Sequence, residues 1–92
     1  MLRFDWDPDK PASDERKHGV PFPEAATAFG DPLSITIPDP ERSVGEARFV
    51  LVGLTYQGRL VVVAHAETVD SIRIISARPA TTAERRSYEQ EV

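Results

Sequence analysis

The chain contains no cysteine. That removes disulfide cross-links, thiolate metal ligands and a thiol nucleophile together. It also lacks any apolar run near the ~18 residues that a membrane-spanning helix requires, so no membrane segment is expected. The first residues, Met1-Leu2-Arg3-Phe4-Asp5-Trp6-Asp7, are too acidic and polar for a secretory leader, and a cytoplasmic location is expected. Histidine is scarce. His18 and His65 stand 47 positions apart without carboxylates at metal-ligand spacing, so neither a metal nor a cofactor is expected. No Gly-rich phosphate loop, G-x-S-x-G or H-E-x-x-H occurs.

Positive charge is also in short supply. Eleven Lys and Arg face fifteen Asp and Glu, a net −4 over 92 residues, which counts against an extended, non-specific nucleic-acid binder. The distribution is uneven, however. Residues 1–47 hold five basic and ten acidic side chains, a balance of −5; residues 48–88 hold six arginines against Glu67, Asp70 and Glu84, a balance of +3. Every basic residue after Lys17 is an arginine, whose planar fork suits bidentate contacts to phosphate or carboxylate. The competing explanation is a set of arginines on a solvated sheet face.

Local patterns describe one small domain over residues 1–92. Asp7 or Asp9 can cap a short helix over 7–19, with its prolines in the first turn and Gly19 past its end. A second helix over 21–30 carries the stripe Phe22, Ala25, Ala26, Phe29 and stops at Gly30-Asp31-Pro32. Beyond it the period changes to two, predicting strands over 33–37, 48–56, 60–67 and 72–78 with hairpin connections between the last three. Thr81-Thr82-Ala83-Glu84 is a capping box that opens a final helix. The expected fold is α+β, a four-stranded antiparallel sheet with helices on one face.

The candidate chemistry sits at strand and helix ends. Lys17 and His18 close the first helix, and His65 and Glu67, two apart, share a strand face. Arg73 and Arg78 are an odd number apart, so they face opposite ways unless a bulge intervenes. A two- or four-residue loop after Glu67 opposes it to Ile72 and places Ser76 and Arg78 on the His65/Glu67 face; a three-residue loop opposes it to Arg73. His, Glu, Lys and Arg together suffice for metal-free RNA cleavage: a base takes the 2′-OH proton, arginines stabilise the charged phosphorus, and an acid protonates the leaving 5′-oxygen. Against this stands a plain Glu–Arg surface pair beside two ordinary histidines.

The ordered motifs resemble the BrnT family of type II toxins. They are Phe4-x-Trp6-Asp7-x-x-Lys10, Arg16-Lys17-His18-Gly19-Val20, Glu24-Ala25-Ala26-x-x-Phe29-x-Asp31-Pro32, Gly58-Arg59-Leu60, His65-x-Glu67, Ile72-Arg73-Ile74-Ile75-Ser76-Ala77-Arg78, and Thr81 with Glu84-Arg85-Arg86. The resemblance implies a RelE-like fold and a metal-independent endoribonuclease that cleaves RNA, inhibits translation and arrests growth. It implies neutralisation by a BrnA-like antitoxin whose ribbon-helix-helix part binds DNA, within a higher-order toxin–antitoxin complex; the toxin meets DNA only through that partner. Carried onto this chain, Glu67, His65, Arg73, Arg78, Lys17 and His18 are the catalytic candidates, and Arg59, Arg73 and Arg78 hold phosphate. Two positions depart from the family pattern. Thr68 replaces the arginine that follows the glutamate, which weakens activity by one phosphate contact, and Asp14 replaces an asparagine. A weakened homologue that only binds its antitoxin is the alternative. An acidic antitoxin tail across residues 48–88 uses the same arginines as RNA.

Overall fold

A computed structural model describes residues 3–7, 19–43 and 45–91. Among them, in chain order, are β1 (Arg3–Asp5), α1 (Phe22–Thr27) extended by a 3-10 turn (Ala28–Gly30), β2 (Ile35–Pro38), a second 3-10 turn (Pro40–Arg42), β3 (Arg48–Leu54), β4 (Leu60–Glu67), β5 (Ser71–Pro79) and α2 (Thr82–Glu91). The helix expected over 7–19 lies outside the described residues but for its ends.

The fold is α+β, with two corrections to the expected arrangement. The sheet has five strands in the order β1-β5-β4-β3-β2, and β1 joins β5 in parallel, so it is mixed rather than a four-stranded antiparallel sheet. Three residues are too few to show a period of two, and β1 forms because Phe4 packs beside Ile72 while the Arg3 N–H donates to the Asp70 carbonyl at 3.0 Å. The helices also lie on opposite faces of the sheet instead of one.

The covered face carries the larger core. Leu51, Val61, Val63, Ile74 and Ala77 point to it and meet Val20, Phe22, Ala25 and Ala28, all buried, with Phe4, Trp6 and Phe29 closing the rim. The stripe of α1 is what reaches them: Phe22, Ala25 and Ala28 are three apart and line up along one side. The opposite face has a smaller apolar cluster, Val52, Leu60 and Val62, with Val50, Ala80 and Tyr88 against it. Only the end near the β3–β4 turn is roofed, by α2.

That helix is held by few groups. The capping box closes as its pattern requires: the Glu84 N–H donates to Thr81 Oγ1 at 3.2 Å and the Thr81 N–H to Glu84 Oε1 at 2.8 Å. Of residues 82–90 only Glu84 and Tyr88, one turn apart, are partly buried. Tyr88 packs on the small cluster and donates its hydroxyl to Asp31 Oδ2 at 2.7 Å. Asp31 also accepts the N–H groups of Leu33 and Leu54, both at 2.9 Å, so one carboxylate ties the α1 turn, the end of β3 and α2 together. Burial pushes this carboxyl upward, but its hydrogen bonds from Leu54, Tyr88 and Leu33 outweigh that and hold it below the ordinary range.

Two glycines are dictated by geometry. Gly58 turns the β3–β4 connection with φ +85°, a left-handed conformation costly for other residues. Gly53, on β3, lets the 3-10 turn after α1 approach the strand: a Cβ there would stand 3.0 Å from the Ala28 carbonyl oxygen and 3.1 Å from the Ser34 side chain. Because one of these neighbours is backbone, Gly53→Ala overpacks the joint between helix and sheet and is expected to cost about 1–3 kcal/mol. That lowers Tm by about 4 °C or more for a domain of this size. Thermal unfolding followed by circular dichroism checks it, and an unchanged Tm would show that the joint is slack.

Candidate functional site

The β4–β5 pairing determines which polar side chains meet. Glu67 stands opposite Ile72, the register expected from a two- or four-residue loop, and His65 opposes Ile74. The ladder then shifts between Ala64 and His65: Ala64 opposes Ser76, Val63 opposes Ala77 and Val62 opposes Arg78, leaving Ile75 as an extra residue in β5. This bulge inverts the faces beyond it. Ser76 and Arg78 therefore do not join His65 and Glu67, as the uninterrupted register predicts. They turn to the other face, together with Arg73, which flanks Ala66.

Arg48 completes the row. It opposes Ala66 from the β3 side, so Arg48 and Arg73 sit on either side of the same small residue and on the same face. Each arginine on this face holds a carboxylate. Glu46 Oε1, from the loop before β3, accepts from Arg48 at 3.4 Å and from Arg73 by a short contact. Asp39 pairs with Arg42 at 3.6 Å. Arg78 grips Glu84 bidentately, both nitrogens at 2.7 Å from the carboxylate oxygens. Those hydrogen bonds from Arg78 are the main reason the Glu84 carboxyl falls from its ordinary 4.5 to about 2, against a smaller opposing effect of burial. The Nε of Arg48 is buried and has no hydrogen-bond partner among the described residues.

Between these pairs the face is open. A groove of about 390 Å³ runs between Asp39 and Arg42 on one side and Arg78 on the other, over a floor of Val50, Val62, Ala64, Ile75 and Ser76. Phe49 and His65 also border it, although strand alternation turns their side chains to the covered face. A smaller groove of about 210 Å³, bordered by Asp7, Arg73, Ile74 and Ile75, shares Arg48 with it. Four arginines (Arg42, Arg48, Arg73, Arg78) and two carboxylates (Asp39, Asp7) thus border an open, partly apolar trough, with Glu46 and Glu84 paired to its arginines. Such a surface is chemically suited to exchange its own carboxylates for an outside anion, because the guanidinium fork accepts either.

The other expected site residues lie elsewhere. His65 is fully buried on the covered face, edge-on to Phe29 at 4.8 Å and stacked on Phe49 at 5.8 Å. Its Nε2 lies 2.8 Å from Glu67 Oε2. Glu67 ends β4 and is exposed. Arg59, in the β3–β4 turn, clamps Glu24 of α1 through Nε at 2.8 Å and a second nitrogen at 2.5 Å, and Thr55 donates to the same carboxylate at 2.9 Å. Arg59's hydrogen bonds lower the Glu24 carboxyl, which makes this pair a fastening between helix and sheet. Thr68 builds the β4–β5 turn, with Oγ1 2.7 Å from Ser71 Oγ and accepting the Ser71 N–H. Lys17, His18 and Asp14 lie outside the described residues.

Arg48, Arg42 and Glu46 were not among the expected site residues. The bulge that gathers the row does have a signature: the buried residues of β5 are Ile72, Ile74 and Ala77, spaced two and then three. A break in the two-residue period is what one inserted residue produces. Glu46 has no comparable signature, since its contact with Arg73 spans 27 positions through a loop. Among the described residues no group of three or more His, Cys, Asp or Glu could hold a metal ion, and no helix is long and apolar enough to cross a membrane.

Comparison with known proteins matches residues 6–84 to the family model described as the ribonuclease toxin BrnT of type II toxin–antitoxin systems. Among solved structures, the crystal structure of the Brucella abortus ribonuclease toxin BrnT is similar in fold, with a TM-score of 0.68 at 18% identity, covering 89% of this chain and 100% of that one. No curated protein matches the sequence.

The Arg78–Glu84 pair predicts a pH dependence. Because Glu84 titrates near 2 when folded and near 4.5 when not, its contribution is complete above about pH 4.5 and disappears as pH falls toward 2. Glu84→Gln is therefore expected to unfold at a lower temperature than the unsubstituted chain at neutral pH, with the gap closing between those two values. Melting curves across pH 2–7 test this, and a gap that stays constant or widens with acid would contradict it.

Proposed function

Because the chain belongs to the BrnT family of ribonuclease toxins of type II toxin–antitoxin systems, we propose that its open sheet face is where RNA is held and cut. One observation carries this reading: the bulge at Ile75 brings Arg73 and Arg78 to the same face as Arg48, on an open groove with an apolar floor. Successive phosphates displace Glu46 and Glu84 from these arginines. The scissile phosphate lies at Arg78, where the guanidinium stabilises the charge that builds on phosphorus during attack by the neighbouring 2′-oxygen. Arg59 takes no part, since it lies in the β3–β4 turn clamped to Glu24 and borders neither groove.

Proton transfer in a metal-independent reaction needs groups able to reach the ribose. Lys17 and His18 have the required chemistry, histidine above all because its ordinary pKa lies near neutrality. They belong to the segment between Asp7, which borders the smaller groove, and Val20, which is buried in the covered core. Glu67 and His65 stand on the opposite side of the sheet from the groove and act on it indirectly, without transferring the proton.

The remaining parts of the proposal are supported by the family's description as a toxin of type II toxin–antitoxin systems and go beyond it. The fold is RelE-like, the protein acts in the cytoplasm, and RNA cleavage lowers translation. The partner is a BrnA-like, ribbon-helix-helix antitoxin that carries the DNA-binding function, and its acidic segment competes with RNA for the groove arginines. A second reading, a weakened homologue that binds its antitoxin without cutting RNA, has two observations in its favour, the first being that each groove arginine already holds a carboxylate. The position after Glu67 is also Thr68, engaged in a turn.

Cleavage of a long single-stranded RNA by the purified protein in EDTA separates these readings. A charge-assisted phosphate contact is worth roughly 1.5–3 kcal/mol, so Arg78→Ala and Arg73→Ala are each expected to reduce kcat/KM about 10- to 150-fold, while Glu67→Ala is impaired less directly. Undiminished cleavage by both arginine variants would remove the groove from the mechanism. Cleavage only with an added divalent metal would overturn the metal-free chemistry, and no cleavage at all by the unsubstituted protein would favour the binding module.

A further inference from the structure

We propose that His65 is a positioning residue that works from the covered face: its ring splints β4 and so holds the bulge that points Arg78 into the groove. The proposal rests on the reading of the groove as an RNA site, but its structural half stands without it.

The two possible ladders differ at a single residue. Continued without interruption from Glu67 opposite Ile72, the pairing would set Ile75 opposite Ala64, Ser76 opposite Val63 and Arg78 opposite Val61. Arg78 would then enter the covered core, and Ala77 would occupy the open face. In the structure the shift falls beside His65, and Arg78 instead opposes Val62. A bulge needs one strand to stay regular while its neighbour takes up the extra residue.

His65 gives β4 that regularity. Its Nδ1 lies 3.3 Å from the Val63 carbonyl and its Nε2 2.8 Å from Glu67 Oε2. The ring therefore spans three consecutive positions of one strand face, 63, 65 and 67, across the point where the ladder slips. Phe49 stacks on one side of it and Phe29 meets it edge-on, so rotation is blocked. A leucine would fill such a place without burying polar nitrogens, which is costly unless they are bonded. The polar ring is instead fastened along the strand: the Val63 carbonyl and the Glu67 carboxylate only accept, a neutral ring has one N–H to give, and the shorter contact, Nε2–H to Glu67, is the bond that holds it.

Glu67 extends the effect toward the site. Its backbone N–H donates to the Ala47 carbonyl at 3.2 Å, in the loop that carries Glu46 to Arg48 and Arg73. Fixing the end of β4 thus fixes both the bulge and the loop opposite.

The register can be read directly by NMR, from cross-strand proton contacts of Arg78. His65→Gln keeps a donor toward Glu67, whereas His65→Leu fills the space and removes it; Glu67→Ala removes the anchor from the exposed strand end should the leucine variant not fold. The unsubstituted chain and His65→Gln are expected to show Arg78 against Val62. His65→Leu or Glu67→Ala is expected to mix this with Arg78 against Val61. In cleavage assays the disrupted variants lose at least tenfold in kcat/KM, while His65→Gln stays within about threefold of the unsubstituted protein and keeps its pH profile. Arg78 opposite Val62 alone in folded His65→Leu and in Glu67→Ala would overturn the proposal. So would a pH limb that disappears in His65→Gln, since that marks a proton carrier. A mixed register in a protein that never cuts RNA would leave the splint standing and overturn the ribonuclease reading.

Discussion

One inserted residue, Ile75, decides which way Arg78 of β5 points. Below it Ile72 and Ile74 face the covered core; above it Ala77 takes over that role and Arg78 turns outward. Because side chains alternate at every residue, a slip of one exchanges the two faces of everything beyond it. The open groove, the pairing of Arg78 with Glu84 and the attachment of α2 all lie downstream of that slip. A regular β5 would turn Arg78 toward the covered core and Ala77 toward the open face, at the cost of burying a charge.

The second constraint is charge. The chain is acidic overall, yet its open face concentrates arginines, and each is paired with a carboxylate: Arg48 and Arg73 with Glu46 from the loop before β3, Arg42 with Asp39 at the head of its own turn, and Arg78 with Glu84 from α2. These acids hold the arginines apart and oriented while no ligand is bound. They also set a threshold, since any incoming anion has to outcompete a carboxylate already in place, with its geometry fixed by the fold. A bidentate pair such as Arg78–Glu84 gives up its partner only to a group with comparable acceptor geometry, and phosphate has it. A small footprint of a few phosphates is consistent with net −4, because a short row of paired arginines needs no basic surface around it.

Much of this is legible in the sequence. The Phe22–Phe29 stripe, the alternating runs that became β3 to β5 and the Thr81–Glu84 capping box are local patterns, and each formed where its pattern lies, with ends shifted by a residue or two. The departures are non-local. β1 is defined by its partner, the second roof over the sheet depends on Tyr88 reaching Asp31 across 57 positions, and Glu46 finds Arg73 through a loop. The bulge lies between these cases: its two-then-three spacing is visible in Ile72, Ile74 and Ala77, but only the register against β4 shows that Arg73 and Arg78 become neighbours on one face. For the same reason His65, which residue chemistry marks as a proton carrier, stands behind the site.

The central claim is that RNA lies across the open face, over Arg48, Arg73 and Arg78. The most direct measurement is an NMR titration of the arginine side-chain Nε–H signals with a short RNA made uncleavable by 2′-O-methylation. Signals of Arg48, Arg73 and Arg78 should move together and saturate at one concentration, while that of Arg59 stays in place with Glu24. Movement of Arg59 without the other three, or no movement of any groove arginine while RNA binds, would contradict the account.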